Sequence, residues 1–265
     1  MTIDIIKEKI RLKNTSFKDR LNYFKKLNNQ LNSQSKKLKL LHKLFKNEKA
    51  VIISCGPSLN EQDFAKIKQL SKDHVIISIK QAFNLFKDIT DFHIFNCANV
   101  VKYDYSNFRP IVIEASSFFS NINKSDISFR IIERDFNKSL ALQKNFNDWK
   151  ISQQESIRPY GPGIMYELAF FLIEHMGFSE VLTIGWDNKL VNKTAENQHF
   201  YKEENLEIFN DVSKVKNIYK NLEFEEGVTI RAISDWYEWL QQNGCTLKIC
   251  SSINPAPPHI ERVAL

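Results

Sequence analysis

From Ala50 onward the chain alternates short apolar runs with longer stretches in which apolar positions recur every three or four residues. The runs Ala50–Ser54, Val75–Ile79, Phe92–Asn96, Pro110–Glu114, Phe129–Ile132, Val181–Ile184 and Thr246–Cys250 are apolar almost throughout rather than alternating. Parallel strands covered on both faces read this way, so the runs are predicted as strands. Between them the spacing predicts helices over Glu61–Leu70, Gln81–Phe86, Gly163–Met176, roughly Glu203–Asn221 and Thr229–Gln242. The alternation predicts an α/β, Rossmann-like fold: a mostly parallel sheet flanked by helices. Ahead of it, Phe17, Leu21, Phe24, Leu27 and Leu31, then Leu38, Leu41 and Phe45, recur at helical spacing. We therefore expect a helical appendage over 1–47 and a catalytic domain over 48–265, with the polar stretch from Ser116 to Tyr160 as an excursion over the sheet or a lid.

Charge sharpens that division. The chain of 265 residues carries a formal charge of +6, yet residues 1–50 hold 14 Lys and Arg against 4 Asp and Glu, and the remainder 23 against 27. Two readings of the basic N-terminal helices stand side by side. They form a packed layer with a solvated basic face, or they seek an anionic membrane surface. Nucleic acid is not expected as a partner, because no recognition module is present and the charge lies away from the strand-end turns. Without a signal-peptide core or an apolar run long enough to span a bilayer, the expected location is cytoplasmic, with peripheral contact at the inner membrane under the second reading. Cys55, Cys97, Cys245 and Cys250 lack metal-ligand spacing and read as reduced thiols.

Two turns carry the candidate chemistry. "VIISCGPSLN", Val51–Asn60, drives a strand into Ser54, Cys55, Gly56, Pro57 and Ser58 just before a helix. In an open α/β sheet the crevice beyond the carboxyl ends of the strands is where ligands bind. A turn required for geometry alone is the competing reading. The second, "SIRPYGPGIMYELAFFLIEHMGFSEVLTIGWDNK", sets Gly161, Pro162 and Gly163 at the start of a helix too apolar to be exposed, and ends in Gly185, Trp186 and Asp187. Unpaired N–H groups at a helix start attract anions. Two such turns predict a crevice for a ligand with two anionic parts, such as a nucleotide sugar, with Arg158 adding charge-assisted bonds.

These residues resemble bacterial sialyltransferases of glycosyltransferase family 42, the lipooligosaccharide type. "VIISCGPSL" looks like the family's Gly-Pro-Ser-Leu strand-turn, and "GPGIMYELAFFLIEHMGFSEVLTIGWD" resembles its Ser-Gly-Val helix followed by a strand ending in Gly-x-Asp. "TLKICSSINP" fits a late strand and turn, and the same signatures occur in the related MptE-like Rossmann proteins, which include pterin diphosphokinases. The sialyltransferase resemblance implies an inverting transfer of an acidic, sialic-acid-like nonulosonic or Kdo-like sugar from a CMP-activated donor to a glycan of surface lipopolysaccharide or capsule. It implies no cofactor and no metal. Carried over by position, Ser54, Gly56, Ser58 and Asn96 approach the nucleotide, Gly161–Gly163 hold the donor, and Gly185 and Asp187 form the nucleotide-side turn. Cys55 and Lys80 stand where the family has asparagines, Pro162 replaces a serine, and "WDNKL" replaces the tyrosines that hold the leaving phosphate.

An inverting transfer needs a base, and His199, in the polar stretch after Gly-Trp-Asp, is the candidate. His259 is a second one. Lys189 and Tyr201 lie where the missing phosphate contacts would be, and Trp186 either stacks on the ligand or packs in the core. The MptE-like alternative, a diphosphokinase, would use ATP and Mg²⁺ and needs acidic ligands, for which Asp187 with Asp91 or Glu167 is the available set. A non-catalytic nucleotide-sugar-binding module is the third reading. Self-association is left open.

Overall fold

A computed structural model describes residues 5–12, 14–96, 102–116, 124–131, 145–159, 161, 163–187, 200 and 222–265. Its centre is one sheet of eight strands, all parallel: β1 (Lys49–Ile53), β2 (His74–Ile79), β3 (Phe92–Asn96), β4 (Ile111–Ser116), β5 (Ile127–Ile131), β6 (Ile157–Arg158), β7 (Glu180–Ile184) and β8 (Thr246–Cys250). The order across the sheet is β6-β5-β4-β3-β2-β1-β7-β8. The chain builds outward from β1 to β6, then crosses back to lay β7 on the other side of β1. That reversal makes the gap between β1 and β7 the topological switch point, where doubly wound folds place their ligands.

The continuous apolar runs follow from burial on both faces. Ala50 and Ile52 of β1 join a core shared with Val75, Ile77, Phe92, Ile94, Ile113 and Phe129, whereas Val51 and Ile53 join Ile76, Leu182, Ile184 and Ile67 on the other side. Because side chains alternate along a strand, every position in such a run must be apolar. Helices α1 (Ile5–Leu12), α2 (Phe17–Asn28) and α3 (Gln34–Leu41) cover the first face. Two further helices cover it with them: α6 (Phe170–Met176), which continues a π turn over Met165–Ala169, and α7 (Leu222–Gln242). Helices α4 (Phe64–Leu70) and α5 (Ala82–Leu85) cover the second. The N-terminal helices are joined to the sheet by one core, in which Leu21, Phe24, Leu38 and Phe45 are buried with the strands. Residues 43–47 add a backbone seam, with the N–H groups of Lys43, Phe45 and Asn47 donating to the carbonyls of His175, Met176 and Gly177 at 2.7, 3.0 and 3.3 Å. Those are carbonyls that the end of α6 leaves without helical partners.

Sequence and structure differ at three elements. β6 was not expected, since two residues pairing at an edge leave no periodic signal. The helix expected over Glu61–Leu70 starts at Phe64, after a separate 3-10 turn over Pro57–Glu61, and α7 starts seven residues earlier than its apolar spacing suggested, at Leu222 rather than Thr229. The helix expected over Glu203–Asn221 lies outside the described residues.

Arg158 requires a correction. Its side chain is fully buried, and its guanidinium donates to the carbonyls of Ile157 and Trp149, each at 2.7 Å, and of Gln154. It also lies 5.2 Å from the ring centroids of Phe129 and Phe171, and burial pulls it down to about 9. A guanidinium held this way ties the β6 edge to the helical layer and has no face turned to a ligand. We predict that Arg158→Ala lowers unfolding stability by about 3 kcal/mol or more, because buried carbonyls lose their donors. Arg158→Lys should not rescue it, since one ammonium cannot span three carbonyls. Denaturant titration reads the loss. Weakened nucleotide binding with unchanged stability would restore the ligand role.

Candidate active site

The carboxyl ends of the strands bring most of the expected residues to one edge. Pairing of β1 with β7 continues past both strands, with Ser54 N–H donating to Ile184 O and Gly56 N–H to Gly185 O, each at 2.8 Å. Both glycines are required there. A Cβ on Gly56 would lie 2.3 Å from Asp187 Oδ2 and 2.5 Å from Gly185 O, and Gly185 has a φ of +66° with Ser54 O 2.9 Å from its would-be Cβ.

The Gly-Pro-Ser turn already holds an anion, and it is the protein's own. Ser58 N–H donates to Asp187 Oδ2 at 2.8 Å, the Ser58 hydroxyl donates to Oδ1, and the Ser251 hydroxyl donates to Oδ1 at 2.6 Å. Ser58 and Asp187 are both buried. The donors of the turn expected to meet a nucleotide, the Ser58 N–H and hydroxyl, are bonded to a carboxylate from the end of β7. Ser251 belongs to the turn after β8. There Asn254 donates to Trp186 O, while Arg262 donates to Ser251 O at 2.9 Å and Asn254 O at 2.6 Å. Sequence reasoning recognised the "SSINP" turn but assigned it no contact, because nothing local links Ser251 to Asp187.

Trp186 is core. It is 2% exposed and packs edge-on against Phe170 at 5.1 Å, so a stacking role on a ligand is not what this geometry offers. Cys55 is also buried: its thiol donates to Ile79 O at 3.2 Å, and burial pushes it up to about 11. That thiol is no nucleophile near neutral pH.

The other expected residues lie toward β2, β3 and the second turn. Lys80 follows β2 in a left-handed conformation, φ +46°, and is half-buried. Asn96, the last residue of β3, donates through Nδ2 to Glu167 Oε2 at 2.8 Å. Glu167 sits in the π turn, and its other oxygen accepts from Gly161 N–H at 3.5 Å. Such turns re-aim the side chains they carry and recur at functional sites. Asn96 Oδ1 and Gln81 Oε1 are buried with no hydrogen-bond partner. Gln81 was not singled out from the sequence, since a glutamine after a strand carries no distinguishing signal. Ser54 and Gly163 are half-buried, and a Cβ on Gly163, φ +124°, would meet nothing within 4 Å. Pro162, Lys189, His199 and Tyr201 lie outside the described residues. Phe200, next to His199, donates its N–H to Cys55 O at 2.9 Å. His259 is exposed, its ring 5.3 Å from that of Tyr237.

Of the acidic residues offered for a metal, Asp91 does not lie with Asp187. Asp91 precedes β3, at the amino edge of the sheet, where its Oδ2 accepts from Ile76 N–H at 2.9 Å and burial pushes it up to about 6. Asp187 follows β7, at the opposite edge. Among the described residues no three His, Cys, Asp or Glu side chains converge as a metal-holding group.

Gly56→Ala should lower stability by about 1–3 kcal/mol, because the added methyl overlaps backbone and a buried carboxylate. Gly163→Ala meets no protein atom, so its cost comes only from the strained φ, about 1–2 kcal/mol. Gly56→Ala should leave nucleotide affinity of the folded protein unchanged, and Gly163→Val should lower it. Melting curves with calorimetry separate the two. A Gly56→Ala protein of normal stability and weak binding would contradict the assignment.

A solved structure of a mammalian sialyltransferase in complex with Gal-beta-1-3GalNAc-ortho-nitrophenol superposes with a TM-score of 0.32 at 12% identity, over 93% of this chain and 86% of that one, too loosely to bear on fold or activity. No curated protein matches the chain by sequence. The model of one family, described as 6-hydroxymethylpterin diphosphokinase MptE-like, matches residues 21–193, from α2 through β7 and both glycine-proline turns. On that match, across more than half its length, the chain belongs to the MptE-like family.

Proposed function

We propose that the protein is an inverting glycosyltransferase that moves an acidic sugar from a CMP-activated donor to a glycan hydroxyl. The observation that carries this reading is the division of charge at the strand ends. The carboxylates there are bonded to protein donors, Asp187 to Ser58 and Ser251 and Glu167 to Asn96 and Gly161. Lys80 and Gly163, both half-buried at this edge, are the groups that would receive a phosphate. Such an edge suits an anion bound by N–H groups and an ammonium, not a cation bound by paired carboxylates. The unpartnered oxygens of Asn96 and Gln81 call for a donor, which the amino group of cytosine or a ribose hydroxyl supplies.

In this reaction the acceptor oxygen attacks the anomeric carbon as the bond from that carbon to the CMP phosphate oxygen breaks. A base takes the hydroxyl proton and CMP leaves with the electron pair, its charge met by Lys80 and the helix start. His199 is the proposed base. The bond from Phe200 to Cys55 O ties the chain beside it to the end of β1.

The family description favours a second reading, diphosphoryl transfer from ATP to an alcohol. One ligand panel separates them. CMP or CTP without metal should raise the melting temperature, by the equivalent of about 2.7 kcal/mol at a hundred times Kd. Asn96→Ala and Lys80→Met should each weaken CMP roughly tenfold. His199→Ala should leave CMP affinity intact and cut turnover by roughly 10² to 10⁴. Stabilisation by ATP only with Mg²⁺, and none by cytidine nucleotides, would replace the glycosyltransferase with the kinase. Wild-type turnover by His199→Ala would remove the base assignment.

A further inference from the structure

The amino edge of the sheet carries a feature that the crevice does not use. Helix α1 lies over α3 with Ile6 and Ile10, one turn apart, 73% and 69% exposed. Beneath them are two adjoining cavities of about 360 and about 390 Å³ that share Lys9 and His42. The first is lined also by Ile6 and Lys39, with Glu155 and His175, and the second by Arg20, Lys43 and Lys46.

These cations are crowded. Burial and then the neighbouring Lys43 hold Lys9 below the usual lysine value, and burial followed by Lys9 and Lys43 holds His42 down. Arg20 is paired with Glu48, and Lys9 donates to His42 O at 2.6 Å. Lys39, Lys43 and Lys46 have no acidic partner among the described residues. Like charges gathered around a cavity repel one another, and an anion entering it relieves the repulsion. A soluble phosphate would account for the cavities but not for Ile6, exposed at the rim of the first, nor for Ile10, exposed one turn along the same helix.

We infer that this face binds an anionic membrane surface, with lipid phosphates entering the cavities at Lys9 and His42 while Ile6 and Ile10 enter the interfacial acyl layer. Basic residues beside exposed aliphatic ones on a short helix suit that boundary. No helix among the described residues is long and apolar enough to cross a bilayer, so attachment through this face is peripheral. Docked this way, the protein presents its strand-end crevice away from the lipid, because the cavities adjoin Asn47 ahead of β1 and the crevice lies beyond Ile53 at the other end.

Co-sedimentation of the full chain with phosphatidylcholine vesicles, with or without one third phosphatidylglycerol, tests the inference. Binding should require phosphatidylglycerol. It should fall roughly twentyfold or more in Lys39→Glu/Lys43→Glu, since each basic residue near the surface is worth about fivefold. It should fall about tenfold in Ile6→Ser/Ile10→Ser, and be unchanged in Lys66→Glu/Lys72→Glu on the opposite face of the sheet. Lys43→Gln should raise the melting temperature of the lipid-free protein, as relief of repulsion requires. If Lys39→Glu/Lys43→Glu does not fold, the isoleucine pair, exposed and outside the core, still decides. No vesicle binding, or equal loss in Lys66→Glu/Lys72→Glu, overturns the inference. So does stabilisation by inorganic phosphate without vesicle binding, which would make the cavities a soluble-anion site, or indifference to the isoleucine pair, which would leave only diffuse charge attraction.

Discussion

The carboxylate of Asp187 holds the switch point together. It accepts from the turn after β1 through Ser58 and from the turn after β8 through Ser251, so three strand ends are fixed by one side chain. Hydrogen bonds to a charged group are worth about 1.5–3 kcal/mol each, and a buried carboxylate that lost them would be costly. The constraint explains the residues around it. Gly56 has no Cβ because the carboxylate occupies that space, and Gly185 takes a positive φ so that Asp187 can turn back toward β1.

On the proposed reading the same constraint moves the ligand. A Gly-Pro-Ser turn at a strand end invites an anion, and here the anion arrives from within the chain. On that reading a phosphate is then left with the neighbouring stretch of the edge, that of Lys80 after β2, Asn96 at the end of β3 and Gly163. The π turn belongs to this stretch, because it carries Glu167 to Asn96 and Gly161 and so fixes the amide of Asn96 with one oxygen unspent. The candidate site thus has one half clamped by Asp187, beside a half in which Asn96 Oδ1 and Gln81 Oε1 have no hydrogen-bond partner.

What could be seen in the sequence follows from how local each signal is. Strands buried on both faces write themselves as apolar runs, and the parallel α/β sheet was legible from them. The two glycine-proline turns were legible as well, since glycine at a strand end marks a backbone constraint. Partnership across the fold was not. Ser58 and Asp187 are 129 positions apart, and a serine looks the same whether it faces a phosphate or a carboxylate. Arg158 misled for a related reason: an arginine before a glycine-rich turn suggests an anion, but its backbone carbonyl partners Trp149 and Gln154 become neighbours only once β6 joins the edge. Segment 1–47 was legible as amphipathic helices, while its sharing of one core with the sheet depended on which faces met.

The most direct test of this account is a crystal structure of the protein with CMP bound. The bonds from Ser58 and Ser251 to Asp187 should remain, with the phosphate beside Lys80 and the N–H groups at the start of the Gly163 helix. A phosphate bonded to Ser58 N–H, with Asp187 turned out of the turn, would contradict it.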